Sequence, residues 1–516
     1  MNIKYDIINK FSYALCLVSG IILSVAFTFR NAWWLCFIGL VPLMLVILGT
    51  KYNAHRLVRY IFTFSLGYYV PLMMWIFEIS AILPISKGFA YFLLTIGIIL
   101  IGLLQGTYLA LATIVFPKIK SGGFRDIIFF SALFVLGEFF QEYTPLIAFP
   151  WANIAVIATD FTPFIQSASL FGGLFISFLI IFMNGCIAYK ILHFRERRKV
   201  IFAFAVMLIV FLSNTAYGYV RINLEKPRDG FDALVVQGNH SGLNKWSTTT
   251  ETMFDEYVSL TKKGATPGTK LVVWPETAIP TDFFSHPELQ KELVNLAQEL
   301  DTTLLVGFFI NEGGDQSYNS MIAVSPSGEI SKPYHKQILA PFGEYFPLGN
   351  FFKKLLPMLS EVIDNSSGVL KGEAAEVIDT PLAKIGGIIC YESIFSRVSR
   401  DSVKGGAEIL AIGSNDSWFG ETSALYQHYS HAIMRAVETK RFVLRASNTG
   451  ISAIISPFGE VKSYAAPFVA TYSSADVNLI SERTLYSKIG DIIIIPCVII
   501  FLFGFSKKII NKKRKN

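Results

Sequence analysis

One of the five cysteines lies in a polar part of the chain, at the end of an apolar stretch. Cys390 follows Ile388 and Ile389 and precedes Tyr391 and Glu392. When an apolar strand ends in a sharp turn, the side chain at the turn can be presented to a substrate, as in enzymes whose nucleophile lies on a strand-to-helix turn. A thiol can equally be buried there as a small apolar group. The segment by itself leaves both interpretations open, a nucleophile and a structural cysteine.

Two other segments carry the groups that a nucleophilic thiol would need. Glu276 follows a second apolar stretch through the rigid step Trp274-Pro275, and Lys336 lies eight residues ahead of Glu344. A carboxylate can take the proton of a thiol, the thiolate can attack a carbonyl carbon, and an ammonium can stabilise the developing oxyanion. Together the groups favour acyl transfer. Taken singly, Glu276 could be a carboxylate at a helix start, and Lys336 a surface charge with Glu344 as its ion-pair partner.

The sequence around these residues resembles a known enzyme superfamily. Trp274-Pro275-Glu276, Tyr334-His335-Lys336 and Cys390-Tyr391-Glu392 are similar to the Glu–Lys–Cys segments of the nitrilase, or carbon–nitrogen hydrolase, superfamily. With the apolar segments described below, the chain resembles the apolipoprotein N-acyltransferase family of the bacterial inner membrane over almost its entire length. Further matching segments are residues 236–239, 245–246, 341–345, 415–420, 427–428, 434–436 and 447–450.

The resemblance implies a role for each matched residue. It makes Glu276 the general base, Lys336 the lysine that stabilises the transition state, and Cys390 the nucleophile. It also implies three residues that assist this triad and two tryptophans near the lipid-binding and lid regions. The assisting residues are Glu344, Tyr391 and Glu392, and the tryptophans are Trp246 and Trp151.

The reaction that the resemblance implies has two half-steps and two lipid substrates. The cysteine would take an acyl chain from a phospholipid, with phosphatidylethanolamine as the expected donor, and form a thioester. The α-amine of the S-diacylglyceryl-cysteine at the N-terminus of a lipoprotein would then accept the chain, which completes lipoprotein maturation. The protein is expected to act as a monomer.

No metal or cofactor is expected. His428 and His431 lie three residues apart on a predicted helix and could be metal ligands, but no cysteine or third histidine is near them in the sequence. Roles on the helix surface or in capping are therefore favoured for both.

Two other functions remain as alternatives. A membrane-tethered nitrilase-type amidase would use the same triad to hydrolyse a small amide, although seven spans exceed what tethering needs. A non-catalytic lipid-binding scaffold or transporter would place ionisable residues within its spans. Glu78, Glu138 and Glu142 are the main ones, and Glu142 lies at the very end of its span.

The composition separates a membrane part from a water-facing part. Of the 516 residues, 52% are hydrophobic and 16% are charged, and the mean hydropathy is +0.48. Globular domains carry about 25% charged residues. Apolar stretches of about 20 residues can cross a bilayer. Such stretches predict eight transmembrane helices, at residues 11–29, 33–49, 61–83, 89–116, 127–143, 165–192, 200–220 and 489–505.

The basic residues between these stretches predict an orientation. Nineteen Lys and Arg residues fall in one set of loops and in the tail, whereas the other short loops hold only Arg30 and Lys87. Because cytoplasmic loops carry the excess of Lys and Arg, both termini are expected in the cytoplasm and the polar domain on the outer, periplasmic side of the inner membrane. The same loops account for the net charge of +7. The remaining chain is net acidic, which excludes a nucleic-acid backbone as partner.

The polar domain shows strands that alternate with helices. Such a pattern, with strand pairs joined by turns, indicates an α/β layered sandwich, and the family resemblance refines it to a four-layer αββα nitrilase-like domain. Strands are predicted at residues 233–237, 270–274, 303–310, 320–324, 384–390, 409–412, 442–446 and 451–455, and helices at 248–263, 287–300 and 424–440. The expected domains are residues 1–220 (seven transmembrane helices), 221–488 (catalytic domain) and 489–516 (last helix and basic tail).

Overall fold

The chain divides into two compact units. A computed structural model describes residues 3–81, 83, 85–144, 147–224, 229–240, 249–314, 316–365, 368–373 and 376–513. The first unit comprises Met1–Ser80, Ser86–Leu224 and Asp491–Asn516, and the second comprises Ala81–Ile85 and Glu225–Gly490. The functional division at residues 220 and 488 stays a prediction.

The first unit is helical. Among the residues that the structure describes, four helical segments are long and apolar enough to cross a membrane, or five if one bent pair counts as a single span. The four are Arg30–Gly49, Lys87–Ile119, Gly173–Leu192 and Arg197–Leu224, and the pair is Ala54–Leu72 with Met74–Ala81. The count of eight spans therefore stays a prediction. Its other three segments correspond to the helices Ser12–Thr28, Arg125–Tyr143 and Ile494–Lys513.

Shorter helices complete the first unit. They are Ile3–Lys10, Ile154–Ile157, Thr162–Ile165 and Ala168–Phe171, with 3-10 turns at Pro150–Ala152 and Ala158–Asp160. Within Lys87–Ile119 and Arg30–Gly49 the helices break at Ile114 and Leu40, so each segment is built of successive pieces.

The second unit contains two β-sheets within its described residues. The strands of the first sheet are β1 (Phe231–Gln237), β2 (Thr269–Val273), β3 (Thr303–Gly313), β4 (Gln316–Val324), β5 (Tyr334–His335), β6 (Val369–Leu370) and β13 (Thr471–Val477). Those of the second sheet are β7 (Ile378–Asp379), β8 (Lys384–Ile389), β9 (Ile409–Ser414), β10 (Val443–Ser447), β11 (Ser452–Ile455) and β12 (Val461–Ala465). The first sheet has the order β13-β1-β2-β3-β4-β5, with β6 also paired to β4, and the second has the order β12-β11-β10-β9-β8-β7.

Alternate residues of the central strands face different layers. In β1 and β2, Ala233, Val235 and Leu271 belong to a core shared with second-sheet residues such as Ile389 and Leu444. Their neighbours Leu234, Val236 and Val272 instead join a core with residues of the helices Thr250–Gly264 and Pro287–Glu299. The helices Ser396–Lys404 and Ala424–Thr439 pack on the second sheet. The predicted αββα sandwich is therefore confirmed.

Several elements escaped prediction. The edge strands β12 and β13 alternate between partly buried and exposed positions and are rich in Ser, Thr and Tyr, so they lack an apolar run. The helix Ser396–Lys404 has only two valines among charged and hydroxyl residues. Short elements at Gly349–Leu355, Ser360–Asn365 and Leu485–Ile489 were missed as well.

Candidate active site

Three polar groups emerge where strands of the second unit end. Glu276 lies three residues after β2, Lys336 directly follows β5, and Cys390 directly follows β8. In the first sheet β2 runs parallel to β1 and β3, and in the second β8 runs parallel to β9. Carboxyl ends of parallel strands meet at one edge of a sheet, where ligands of α/β proteins commonly bind.

Lys336 lies between two carboxylates. Its Nζ is 3.0 Å from Oε1 of Glu276 and 2.8 Å from Oε1 of Glu344. The Lys336 side chain is 1% exposed. Burial would lower the pKa of Lys336, but the two carboxylates raise it well above its ordinary value, so the lysine is a cation. The interpretation of Lys336 as a surface charge is therefore wrong: its ammonium is buried, and Glu344, whose side chain is 15% exposed, is one of its two carboxylate partners.

Asn319 completes this cluster and was not among the residues predicted from the sequence. Its Nδ2 donates to Oε1 of Glu276 at 2.7 Å and to Oε1 of Glu344 at 3.0 Å. The main-chain N–H of Lys336 donates to the carbonyl of Asn319 at 2.9 Å. The sequence offered only an asparagine just ahead of the apolar run that ends at Val324; its burial in β4 is seen in the structure.

Main-chain groups hold the remaining carboxylate oxygens. The N–H of Asn415, directly after β9, donates to Oε2 of Glu276 at 2.8 Å, and the N–H of Ala340 donates to Oε2 of Glu344 at 2.8 Å. Glu276 follows a strand and does not begin a helix, so its interpretation as a helix-start carboxylate is wrong. Both carboxylates are fixed from two sides, which preorganises them for proton transfer or charge stabilisation.

Cys390 lies in the field of this cluster. Burial and the negative charge of Glu276 raise the pKa of the Cys390 thiol well above its ordinary value, while the Lys336 ammonium lowers it. The resting thiol is therefore protonated, and attack on a carbonyl requires a base to remove its proton. The backbone of Cys390 has φ +51°, in the left-handed region that residues other than glycine seldom adopt.

Glu392 ties the cysteine turn to the lysine segment. Its Oε1 accepts from the main-chain N–H of Gln337 at 2.5 Å and of Ile338 at 3.1 Å. Its Oε2 accepts from the N–H of Ile389 at 2.7 Å and from the hydroxyl of Tyr334 at 2.8 Å. Burial raises the pKa of Glu392 to about 7, against the opposing effect of these donors. Glu392 thus links the strand ends of the two sheets.

For the other predicted residues, the contacts described below are with residues other than Glu276, Lys336 and Cys390. Tyr391 is buried and packs edge-on against Phe395, with ring centroids 5.3 Å apart. Trp151 belongs to the first unit, where it is buried against Trp75 (5.3 Å between ring centroids) and stacked on Phe149 (5.8 Å). Trp246 lies outside the described residues.

The two histidines of the helix Ala424–Thr439 correct an expectation. His428 and His431 are 0% and 1% exposed, so neither lies on a helix surface. His428 Nδ1 lies 2.9 Å from Oδ1 of Asp416, and its Nε2 lies 3.1 Å from the carbonyl of Cys390. Within the described parts of the chain, no three His, Cys, Asp or Glu side chains are grouped as metal ligands would be.

Comparison with known proteins identifies the family. Residues 233–485 match the carbon-nitrogen hydrolase family, and residues 19–186 match the apolipoprotein N-acyltransferase N-terminal domain. The chain is 30% identical to the apolipoprotein N-acyltransferase of Geobacter metallireducens, over 98% of both chains. This chain belongs to the apolipoprotein N-acyltransferase family. The Haemophilus influenzae member is 27% identical over 100% of this chain and 98% of its own.

Membership in the apolipoprotein N-acyltransferase family gives the site its context. The protein is an acyltransferase whose second unit has the carbon–nitrogen hydrolase fold. Among solved structures, Saccharomyces cerevisiae Nit3, a nitrilase-superfamily protein, aligns with 48% of this chain and 90% of its own at 20% identity, with a TM-score of 0.37. The Glu276–Lys336–Glu344 cluster and Cys390 lie in the segment that matches the carbon-nitrogen hydrolase family.

Proposed function

We propose that this protein transfers an acyl chain from a phospholipid, with phosphatidylethanolamine as the expected donor, to the α-amine of the S-diacylglyceryl-cysteine of lipoproteins. Cys390 carries the chain as a thioester between the two half-steps. The observation that supports this assignment most directly is the Glu276–Lys336–Glu344 cluster at strand ends of the unit that also carries Cys390, with Glu276 and Lys336 shifting the pKa of the Cys390 thiol in opposite directions. Family membership over the whole chain supports the choice of substrates.

In the first half-step Cys390 attacks the ester carbonyl of the phospholipid. Glu276 accepts the thiol proton as the bond from sulfur to carbon forms, and the Lys336 ammonium stabilises the negative charge on the carbonyl oxygen. The ester C–O bond then breaks, and the departing lysophospholipid oxygen takes the proton back from Glu276. The raised pKa of Cys390 is consistent with this sequence, since deprotonation is coupled to attack.

In the second half-step the lipoprotein amine attacks the thioester. An α-amine has a pKa of about 7.7–8.0, so a usable neutral fraction exists near neutral pH. Glu276 takes a proton from the attacking nitrogen, the C–S bond breaks, and the Cys390 sulfur recovers a proton. The products are the amide-linked triacylated lipoprotein and free enzyme.

The assisting residues act on this machinery without forming bonds to substrate. Glu344 and Asn319 hold Lys336 and Glu276, and Glu392 keeps the lysine segment against the cysteine turn. We propose that Trp246 and Trp151 contact lipid, in line with the family resemblance, and that Tyr391 borders the acyl site. No metal or cofactor takes part in these steps.

A multi-pass arrangement in the bacterial inner membrane fits both substrates, which are held in the bilayer. We propose that both termini lie in the cytoplasm and that the catalytic domain, residues 221–488, lies on the periplasmic side, on the basis of the distribution of Lys and Arg. Residues 1–220 and 489–516 would then supply the eight transmembrane helices, with the protein acting as a monomer.

The test follows the acyl group on the protein. Purified full-length protein is incubated with phosphatidylethanolamine that carries a labelled acyl chain, and the Cys390 peptide is analysed by mass spectrometry. We expect a hydroxylamine-sensitive acyl adduct that is absent in Cys390→Ala, sharply reduced in Cys390→Ser, and transferable to a diacylated lipopeptide. Cys186→Ala, which changes a buried cysteine of the first unit, is the matched control and should form the adduct normally.

Three outcomes would overturn the assignment. An adduct that only hydrolyses, with ammonia released from small amides, indicates a membrane-tethered amidase. No adduct with any phospholipid indicates a non-catalytic scaffold. Normal turnover in Cys390→Ser would exclude the thioester.

A further inference from the structure

A second buried cluster of charged side chains lies behind Cys390, and no step of the proposed reaction uses it. It consists of Asp416, His428 and Arg445, each with a side chain 0% exposed. Buried charges are tolerated only when they are paired and hydrogen-bonded. Because His428 contacts the main chain of Cys390, this cluster can hold the nucleophile in place.

His428 contacts the main chain of the nucleophile itself. Its Nε2 lies 3.1 Å from the carbonyl oxygen of Cys390. A carbonyl oxygen only accepts hydrogen bonds, so a hydrogen bond between these two atoms requires a proton on Nε2, which Ser393 Oγ also faces at 2.8 Å. The hydroxyl of Ser393 donates to the same oxygen at 2.8 Å. Two donors thus fix the direction of the Cys390 carbonyl.

The other side of the imidazole is fixed as well. Its Nδ1 lies 2.9 Å from Oδ1 of Asp416, and Oδ2 of that carboxylate accepts from Nη2 of Arg445 at 2.6 Å. The hydroxyls of Ser414 and Ser447 add bonds of 2.7 and 3.1 Å to the two Asp416 oxygens. Burial would raise the pKa of Asp416, but Arg445 and His428 hold it well below its ordinary value, so the carboxylate stays ionised.

The backbone at Cys390 needs such support. A non-glycine residue at φ +51° is strained, and such strain persists only where the surroundings over-determine it. Relaxation of this turn would rotate the thiol away from Glu276 and Lys336. The carbonyl bond from His428 opposes that rotation because it joins the strained residue to a helix packed on the second sheet.

We propose that His428, oriented by Asp416 and Arg445, is a positioning residue that holds the main chain of Cys390, so that its thiol stays aligned with Glu276 and Lys336 in both half-steps. This inference rests on the proposed function, in which Cys390 carries the acyl group. It assigns to the helix Ala424–Thr439 a role in catalysis that acts through the backbone.

A competing interpretation is a second nucleophile. Ser393 Oγ lies 2.8 Å from Nε2 of His428, and Nδ1 of the same ring lies 2.9 Å from Asp416. A hydroxyl, an imidazole and a carboxylate contact one another in the same order in the catalytic triad of serine hydrolases. Ser393 is 0% exposed, and its hydroxyl donates to the Cys390 carbonyl. A substrate carbonyl has no access to that oxygen, so the geometry favours positioning.

The test measures single-turnover formation of the Cys390 adduct from labelled phosphatidylethanolamine. The final amplitude reports the fraction of correctly folded enzyme, and the rate constant reports positioning. We expect His428→Ala to lower the rate constant about 100-fold. His428→Gln, whose amide can still donate to the carbonyl, should react about tenfold faster than His428→Ala and about tenfold slower than the wild type. The KM for phospholipid should stay within about twofold of the wild-type value. Asp416→Asn should lower the rate constant about tenfold, because the ring loses its anchor.

His431→Gln is the matched control, since it changes a histidine of the same helix with the same burial, and its rate constant should equal that of the wild type. If His428→Ala fails to fold, His428→Gln and Asp416→Asn decide between the outcomes. If His428→Gln and Asp416→Asn both form the adduct with the wild-type rate constant, the inference is overturned. Labelling of Ser393 by a fluorophosphonate in Cys390→Ala, which identifies a second nucleophile, also overturns it. Absence of any adduct in the wild type would instead refute the proposed function.

Discussion

Asn319 and Lys336 donate to the same two carboxylate oxygens. The Asn319 amide lies 2.7 Å and 3.0 Å from Oε1 of Glu276 and of Glu344, and the Lys336 ammonium lies 3.0 Å and 2.8 Å from the same atoms. The four groups form a closed square of hydrogen bonds. Besides the ammonium, the neutral amide adds one donor to each of these carboxylate oxygens, so both side chains are held in place from two directions.

The first prediction concerns Asn319. We expect Asn319→Ala to lower kcat roughly 100-fold with little change in the KM for phospholipid, because one donor to each carboxylate is lost from a preorganised site. Asn319→Asp should be worse, since it adds a third negative charge at the same position. The measurement is steady-state transfer to a diacylated lipopeptide. Asn311→Ala, at an exposed position on β3, is the control and should be neutral. Equal kcat values for wild type and Asn319→Ala would contradict the prediction.

The second prediction separates the reactivity of the thiol from catalysis. The negative charge of Glu276 contributes to the raised pKa of Cys390, while Lys336 opposes it. Glu276→Gln removes the carboxylate and leaves the ammonium, so the pKa of the thiol should fall. We therefore expect alkylation of Cys390 by iodoacetamide at pH 8 to become about three- to tenfold faster, although transfer activity is lost with the base.

Mass spectrometry of the Cys390 peptide measures this alkylation without interference from the other four cysteines. Glu288→Gln changes a glutamate that is 62% exposed and should leave the alkylation rate unchanged. Slower alkylation in Glu276→Gln would mean that Glu276 already holds the thiol proton in the resting enzyme, against the proposed order of events.

The third prediction concerns the pH dependence of stability. Burial raises the pKa of Glu392 from 4.5 to about 7. A raised folded-state pKa gives a stabilising contribution that is complete below 4.5 and is lost as the pH rises through 7. For this group alone, the free energy of unfolding should fall by on the order of 3 kcal/mol across that window.

Thermal unfolding of the detergent-solubilised protein between pH 4 and 8 measures this effect. Glu392→Gln loses the titrating group, so its stability should change less with pH than that of the wild type. Glu299→Gln, at an exposed ion pair with Lys262, should keep the wild-type slope. Parallel curves for Glu392→Gln and wild type would show that the Glu392 carboxyl does not titrate in this range.

How far the sequence predicts the site depends on where each residue lies in its strand. Glu276 and Cys390 follow apolar runs, and such runs predict strands whose ends carry functional side chains. Asn319 lies inside β4, and its approach to Lys336 depends on the pairing of β4 with β5, in which Ser320 faces His335. Nothing local in the sequence sets that register, because β5 is only two residues long.

Burial of polar helix residues was also beyond prediction. His428 and His431 stand in a helix whose sequence includes Gln, Arg and Glu, which favours an exposed face. The structure buries both histidines, and for His428 the burial is supported by Asp416, in the turn after β9, and by Arg445, in the second sheet. A charge network spread over distant segments becomes visible only when the sheet is assembled. The layered fold itself was predictable, since its central strands carry continuous apolar runs.

The last prediction concerns the glycine beneath the general base. Gly307, in β3, lies so close to the loop after β2 that an added Cβ would be 2.4 Å from the carbonyl of Pro275 and 2.6 Å from the N–H of Thr277. Gly307→Ala must therefore push the loop that carries Glu276. We expect a loss of about 1–3 kcal/mol in the free energy of unfolding from overpacking. Displacement of the base by about 1 Å should lower kcat on the order of 100-fold.

Gly268→Ala, in the turn before β2, is the matched control, because its added Cβ would come no nearer than 3.7 Å to a neighbouring side chain. Both variants replace a glycine of the same unit by alanine. A difference between them in stability or rate is therefore due to the contact of the new methyl group with the loop that carries Glu276, and not to the loss of a glycine as such. Thermal unfolding and single-turnover adduct formation are measured on each. If Gly307→Ala retains the wild-type rate of adduct formation while Gly268→Ala is also unaffected, the base does not need the fixed loop position that the close contact with β3 imposes.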